Sequence, residues 1–257
     1  MDVKNLYVTD EYMEKNPSLH EEDSAWKIGK IIPALERLMK EMPAREQINL
    51  LDVGGGAGVV LSRVSAYLSS EHGLRVNKYA LDLSPGMLKV QHERNPDLRR
   101  AVNEDITATS FKDKELDLVL MIDVLEHVPD PVAALKELKR ISHYVLFKVP
   151  LENNTLFNVR NLARGGRPRQ QAIEDIGHIN TYTLGSVRRQ VEAHAGEVLH
   201  LSLTNVFDYW LNSEHYRQSM NAKFRLLNRT AASMFQVSPR LCSLMFGDFV
   251  MMLVKCG

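Results

Sequence analysis

Asp123, Glu126 and His127 stand within five positions of one another. A histidine that is neutral near pH 7 can take a proton from an acceptor group. Two carboxylates beside a histidine also suit a hard or borderline divalent cation. His178, in Gly177-His178-Ile179-Asn180, is a second candidate for chemistry on a substrate. Asp52, Asp82 and Asp105 share a feature with Asp123, since each stands at or just after a short apolar run.

The stretch that must position these groups is 48–58, Ile-Asn-Leu-Leu-Asp-Val-Gly-Gly-Gly-Ala-Gly. Its apolar run reads as a buried parallel strand. Val59, Val60, Leu61 and Val64 then recur at helical spacing, so the glycines form a strand-to-helix turn. Glycine permits positive φ and lets a ligand approach the backbone, while the helix start behind it offers unpaired N–H groups. A P-loop would need Gly-Lys-Ser/Thr, and Gly58 is followed by Val59. The dinucleotide fingerprint needs glycine at its first, third and sixth places, and neither frame supplies it. The pattern that fits is Asp-x-Gly-x-Gly-x-Gly, from Asp52 through Gly54, Gly56 and Gly58.

Strands are expected at Val76–Leu83, Arg99–Val102, Leu116–Ile122 and His143–Val149, with helices between them that open at Ser84-Pro85 and Asp130-Pro131. Alternation of this kind predicts an α/β fold, a mostly parallel sheet with helices on both faces. In such sheets ligands bind beyond the carboxyl ends of the strands, where the four aspartates converge. Ser24 to Met42 has helical spacing, and Pro33 is expected to kink or split it. Residues 1–44 read as an N-terminal helical cap and 45–257 as the main domain, with lid-like insertions at about 151–180 and 205–247. A helix at Thr183–Ala195, a strand at Glu197–Leu203 and a final strand at Phe249–Val254 complete the pattern.

The 257 residues carry 32 Lys and Arg against 32 Asp and Glu, so no global field gathers nucleic acid or an anionic membrane. Cys242 and Cys256 have no metal-site spacing, which fits a reducing, cytoplasmic setting. Residues 1–10 lack a signal pattern, and the most apolar stretch, Leu241–Val254, is too short for a membrane span.

Four segments in order, 51–58, Ala80-Leu81-Asp82-Leu83-Ser84, Glu104-Asp105-Ile106 and 123–131, resemble the class I S-adenosylmethionine (SAM)-dependent methyltransferase family. Within it the chain looks most like ubiquinone-type and small-molecule O-methyltransferases. The resemblance covers about 45–204 and 248–256. It implies a Rossmann-like seven-stranded sheet with the last strand antiparallel, and SAM as cofactor with S-adenosylhomocysteine as product. It also implies roles. Asp52, Gly54, Gly56 and Gly58 would form the cofactor turn. Asp82, with Leu83 beside it, would accept from the ribose hydroxyls. Met87 would pack on adenine, Asp105 and Ile106 would meet the adenine edge, and Ile122 would line the pocket. Trp26 and Lys27 would close over the methionine end. Beyond the resemblance, the chemistry of a neutral imidazole and its place after the fourth strand make His127 the expected base, with no metal required, and His178 a second group toward the substrate, expected to be a small polar metabolite or glycan precursor methylated on oxygen or nitrogen.

Three alternatives follow from the same residues. Asp-x-x-Glu-His at 123–127 resembles the Glu-x-x-Glu-His metal site of ubiquinone O-methyltransferases and small-RNA end methyltransferases, with the shorter Asp in first place. That version would be metal-assisted and act on a quinone precursor or an RNA end. Tyr144-x-x-x-Lys148 spells the pair of short-chain dehydrogenases, but on a strand the two groups would stand roughly 13 Å apart. A SAM-binding protein with a regulatory role is the non-enzymatic alternative. The arginines at 160–169 fit a solvated surface loop first, and a lid that meets a polar or anionic substrate second; they lack the interleaved aromatics of a nucleic-acid arm.

Overall fold

The computed structural model describes residues 21–257, so the expectations for residues 1–20 lie outside the described part. Seven strands form one sheet: β1 (Gln47–Val53), β2 (Arg75–Leu81), β3 (Leu98–Val102), β4 (Leu116–Ile122), β5 (Ser142–Pro150), β6 (Gly196–Leu203) and β7 (Phe249–Cys256). Their order is β3-β2-β1-β4-β5-β7-β6, and β7 runs antiparallel to both of its neighbours. The expected architecture is present.

Both faces of the sheet are covered, which explains why its strands read as continuous apolar runs rather than alternating ones. Leu50, Leu118 and Leu120 face one layer, packed against Ile31, Leu35 and Leu38 of α1 (Ser24–Glu41) and Leu61 and Leu68 of α2 (Val59–His72). Leu51, Val119 and Met121 face the other, packed against Leu135 and Leu138 of α4 (Pro131–Ile141) and Val187 and Val191 of α7 (Leu184–His194). Between them, α3 (Pro85–Arg94) starts where expected, Ser84 accepting from Met87 N, and Asp130 caps α4 in the same way through Ala133 N. Among the described residues no helix is long and apolar enough to cross a membrane.

Two readings change. α1 runs unbroken through Pro33, which lies on its solvent side. Burial of Ile31, Ala34, Leu35 and Leu38 holds both halves in one helix, outweighing the roughly 3 kcal/mol that an interior proline costs. The same packing sets α1 in the layer that covers one face of the sheet. The two insertions are also more regular than their composition suggests. The first holds α5 (Thr155–Ala163) and α6 (Arg167–Ile176); the second holds α8 (Val206–Asn212), α9 (Glu214–Ser219), α10 (Ala222–Val237) and α11 (Pro239–Phe246). Asp248 anchors the second insertion, accepting from Thr204 N and Oγ1, Asn205 N and Val206 N at 2.7–3.1 Å.

Gly58 caps α2 with φ +70°, and a Cβ there would lie 2.8 Å from Asn95 Nδ2 and 3.3 Å from Gln91 Cα. It sets how closely α2 approaches α3. Gly58→Ala should therefore cost about 1–3 kcal/mol of stability, read from denaturant melts; an unchanged midpoint would show that α3 yields freely.

Candidate active site

The sheet's order reverses between β1 and β4, and the carboxyl ends of the parallel strands splay apart there. Backbone bonds tie these ends together: Gly54 N to Leu81 O at 2.8 Å, Asp82 N to Val102 O at 3.2 Å and Asp123 N to Lys148 O at 3.0 Å. A cavity of about 520 Å³ opens above them. Its walls divide by chemistry.

One half is polar and glycine-lined, from Asp52 through Ala57, with Asp82, Leu83, Met87, Asp105, Ile106 and Ile122. Gly54 and Gly56 have φ +61° and +53°, and a Cβ on Gly54 would press on Val124 at 2.8 Å. Asp82 Oδ1 accepts from Ser84 N at 2.9 Å and Oδ2 from Gln91 Nε2 at 3.3 Å, so both oxygens of this cavity-lining carboxylate are held in place. Asp105 Oδ1 is turned by Thr107, accepting from its N–H and hydroxyl. Asp52 is buried, and its Oδ2 has no hydrogen-bond partner among the described residues. Burial and the nearby Asp82 push the Asp52 carboxyl up to about 7, and burial pushes Asp82 up to about 6.

The other half is aromatic and comes mostly from α1 and the second insertion. Trp26 stacks on Tyr209 at 4.7 Å and meets Phe249 edge-on at 6.2 Å. Trp210, Tyr216 and Phe224 continue this wall. Beneath it Lys148 is fully buried, 3.5 Å from the Phe249 ring centre. Asp123 binds Lys148 Nζ at 2.5 Å and Lys27 Nζ at 3.0 Å. Burial alone would raise the Asp123 carboxyl; the two ammonium groups overcome this and hold it well below its usual range. Lys27, opposed by its own burial, is nevertheless held above its usual value by Asp123 and Asp23.

His127 and His178 meet at the junction of the two halves, their rings 4.7 Å apart at 68°. Asn180 makes this meeting possible. Its N–H donates to Glu126 O at 2.9 Å, and its amide to Leu125 O and Val128 O at 3.2 and 2.7 Å, stapling the 177–180 loop to the turn that carries His127. His127 Nδ1 lies 3.1 Å from Gly177 O, and His178 Nδ1 lies 2.7 Å from Glu152 Oε1. A carbonyl and a carboxylate only accept, so each ring carries its proton on Nδ1 when neutral and Nε2 is its basic nitrogen. Glu126 is buried beside them; burial first, then the Asp123 charge, pushes its carboxyl well above the usual range.

Of the residues singled out from sequence, Asp52, Gly54, Gly56, Asp82, Leu83, Met87, Asp105, Ile106, Ile122, Trp26, Lys27, His127 and His178 all line this cavity. Gly58 does not; it faces α3. The arginines at 160–169 are absent from the lining, and the first insertion reaches the cavity through Ile176 and His178 instead. Asp123 is no partner of a metal cluster, since both of its oxygens hold lysines, whereas Glu126, His127 and His178 can bring one ligand atom each within 4.8 Å of one another. Sequence reasoning missed Asn180, Glu152 and the role of Lys148. Only the aromatic richness of the second insertion announced the apolar wall.

The buried carboxyl of Asp52 yields a stability prediction. Unfolded, it ionises near its ordinary 3.8; folded, only near 7. Between those values the folded state keeps a proton that the unfolded chain has lost, so stability falls as pH rises through that window and then levels off. Asp52→Asn should remove this loss, raising stability by on the order of 2–4 kcal/mol at pH 8 and by little at pH 4. Thermal melts across pH check it; equal gains at both pH values would mean the carboxyl's charge is not the cause.

Comparison with known proteins agrees with the geometry. Residues 51–143 match the family model described as a methyltransferase domain. A demethylmenaquinone methyltransferase of Staphylococcus aureus is 31% identical over 111 residues, 41% of this chain and 43% of the relative, so the match spans under half of either protein. A putative sarcosine dimethylglycine methyltransferase from Galdieria sulphuraria superposes with a TM-score of 0.59 at 17% identity, covering 87% of this chain and 83% of that one. Geranyl diphosphate C-methyltransferase from Streptomyces coelicolor, solved with Mg²⁺, geranyl diphosphate and S-adenosylhomocysteine, gives 0.57 at 13% identity, covering 86% and 76%. At such identities these two structures speak for the fold alone. The match over 51–143, together with the seven-stranded sheet, supports a SAM-dependent methyltransferase domain in this chain.

Proposed function

We propose that this chain transfers a methyl group from SAM to an oxygen or nitrogen of a small acceptor with a flat, apolar body, and that His127 takes the acceptor's proton. The carrying observation is the division of one cavity into a polar glycine-lined half and an aromatic half, with two histidines at the seam.

The polar half fits SAM. The positive-φ glycines leave backbone exposed, Asp82 presents a carboxylate suited to paired hydroxyls, and Met87 and Ile106 offer apolar faces for a base. When bound, SAM supplies an electrophilic methyl group on a sulfonium. The chain's own residues do the rest. His127 Nε2 accepts the acceptor's proton, and the Gly177 carbonyl fixes the ring by taking its Nδ1–H. His178 is steered in the same way by Glu152 and orients the acceptor. Trp26, Tyr209, Trp210 and Phe249 exclude water and stack on a planar group. Such a wall suits a phenol- or quinol-type acceptor better than the polar metabolite or glycan that the sequence suggests. The curated relative's name, a demethylmenaquinone methyltransferase, points the same way.

A metal-assisted version has one observation in its favour. Glu126 Oε2 is buried without a hydrogen-bond partner among the described residues, beside His127 and His178. A divalent cation there would hold the acceptor oxygen and lower its pKa.

Methyl transfer from labelled SAM to a panel of phenols, quinols, polar amines and sugars tests the reading. Turnover is expected on the planar acceptors, and His127→Ala should lower kcat by about 10²–10⁴-fold with SAM affinity retained. Turnover confined to sugars or amines would contradict the acceptor class. EDTA sensitivity rescued by Mg²⁺ or Zn²⁺, with Glu126→Gln as damaging as His127→Ala, would replace the base with the metal.

A further inference from the structure

The chain's balanced charge conceals a segregation. Residues 153–173 contain four arginines and no acidic residue; residues 215–247 contain Arg217, Lys223, Arg225, Arg229 and Arg240 and again no acidic residue. These stretches make up most of the two insertions; the insertions' acidic residues, Glu152, Glu174, Asp175, Asp208 and Glu214, fall outside them, and α5 and α11 carry none.

The same stretches expose aliphatic side chains. On α5, Leu156, Val159 and Leu162 recur at three-residue spacing with exposures from 40% to 84%. α11 packs beside α5, Thr155 Oγ1 donating to Leu244 O at 3.1 Å, and exposes Leu241 and Leu244 at 48% and 55%. Arg160 on α5, Arg164 at its C-terminal cap and Arg240 on α11 accompany them. Phe224 and Ile176, also exposed, line the cavity itself, so the insertions carry apolar surface to its mouth.

We propose that the α5–α11 face docks on an anionic lipid bilayer surface, the leucines and Val159 entering the headgroup boundary and the arginines pairing with lipid phosphates. Charge decides between occupants. A second copy meeting this face symmetrically would set arginine against arginine. An anionic bilayer complements every cation and receives the aliphatic side chains, the combination by which amphipathic surfaces bind in the membrane interface. The inference does not depend on which acceptor is methylated.

Co-sedimentation tests it, with vesicles of equal phosphatidylglycerol and phosphatidylcholine and with phosphatidylcholine alone. The protein should sediment with the anionic vesicles and not the neutral ones, and should release as salt rises toward ~1 M, where the screening length is about 3 Å. Leu162→Asp with Leu244→Asp should weaken retention at least tenfold while the melting temperature and SAM binding stay unchanged. If those aspartates unfold the helices, Arg160→Gln with Arg164→Gln and Arg240→Gln, which removes charge from exposed positions only, should weaken retention several-fold. Wild-type protein left in the supernatant, or unaltered retention in folded variants, overturns the proposal. So does a dimer in sedimentation velocity that the Leu162→Asp, Leu244→Asp variant dissociates, because the face would then be a self-interface.

Discussion

Asp123 holds two buried lysines, and the layout of the cavity depends on that charge. It stands just past β4 with φ +57°, a conformation uncommon for a residue other than glycine. From there it binds Lys148 of β5 and Lys27 of α1. Removing one partner from such a group leaves an uncompensated buried charge, a loss of about 3–5 kcal/mol. Lys148 in turn lies under Phe249 and within 5.7 Å of the Trp26 ring centre, so the ion cluster supports the aromatic wall as well as the start of α1. Tyr209, stacked on Trp26, donates to Glu22 O at 3.2 Å and ties the second insertion to the same place. One carboxylate thus fixes three elements around the aromatic half of the cavity.

That arrangement also explains the histidine site. With Asp123 committed to lysines, the residues left at the seam are Glu126, His127 and His178, set by two different elements. Glu126 and His127 ride on the turn after β4, and His178 follows α6. Asn180 bridges the two at backbone level, so the histidine pair is positioned by hydrogen bonds that survive changes in either ring.

The polar, glycine-lined half of the cavity was legible in the sequence because its determinants are local. The Gly54–Gly58 turn, the Ser84 cap and the aspartates at strand ends each announce themselves within a few residues of the strand they terminate. The aromatic wall was not, because Trp26, Tyr209 and Phe249 are brought together from distant parts of the chain by tertiary packing. Lys148 illustrates the same limit: its strand placement correctly argued against a dehydrogenase pair, yet its partner Asp123 lies 25 positions away, just past the end of β4. Net charge misled for a related reason. A sum of zero is silent about where cations sit, and only the packing of α5 beside α11, which joins the two acid-free stretches, gives them meaning.

The proposed reaction requires that SAM be held in the polar half of the cavity through the Asp82 carboxylate. Calorimetric titration of SAM into the wild-type protein and into Asp82→Asn tests it most directly. Loss of a charge-assisted pair of hydrogen bonds should cost about 1.5–3 kcal/mol, on the order of 10–100-fold in affinity. Equal affinity in the two proteins, or wild-type binding of NAD in place of SAM, would contradict it.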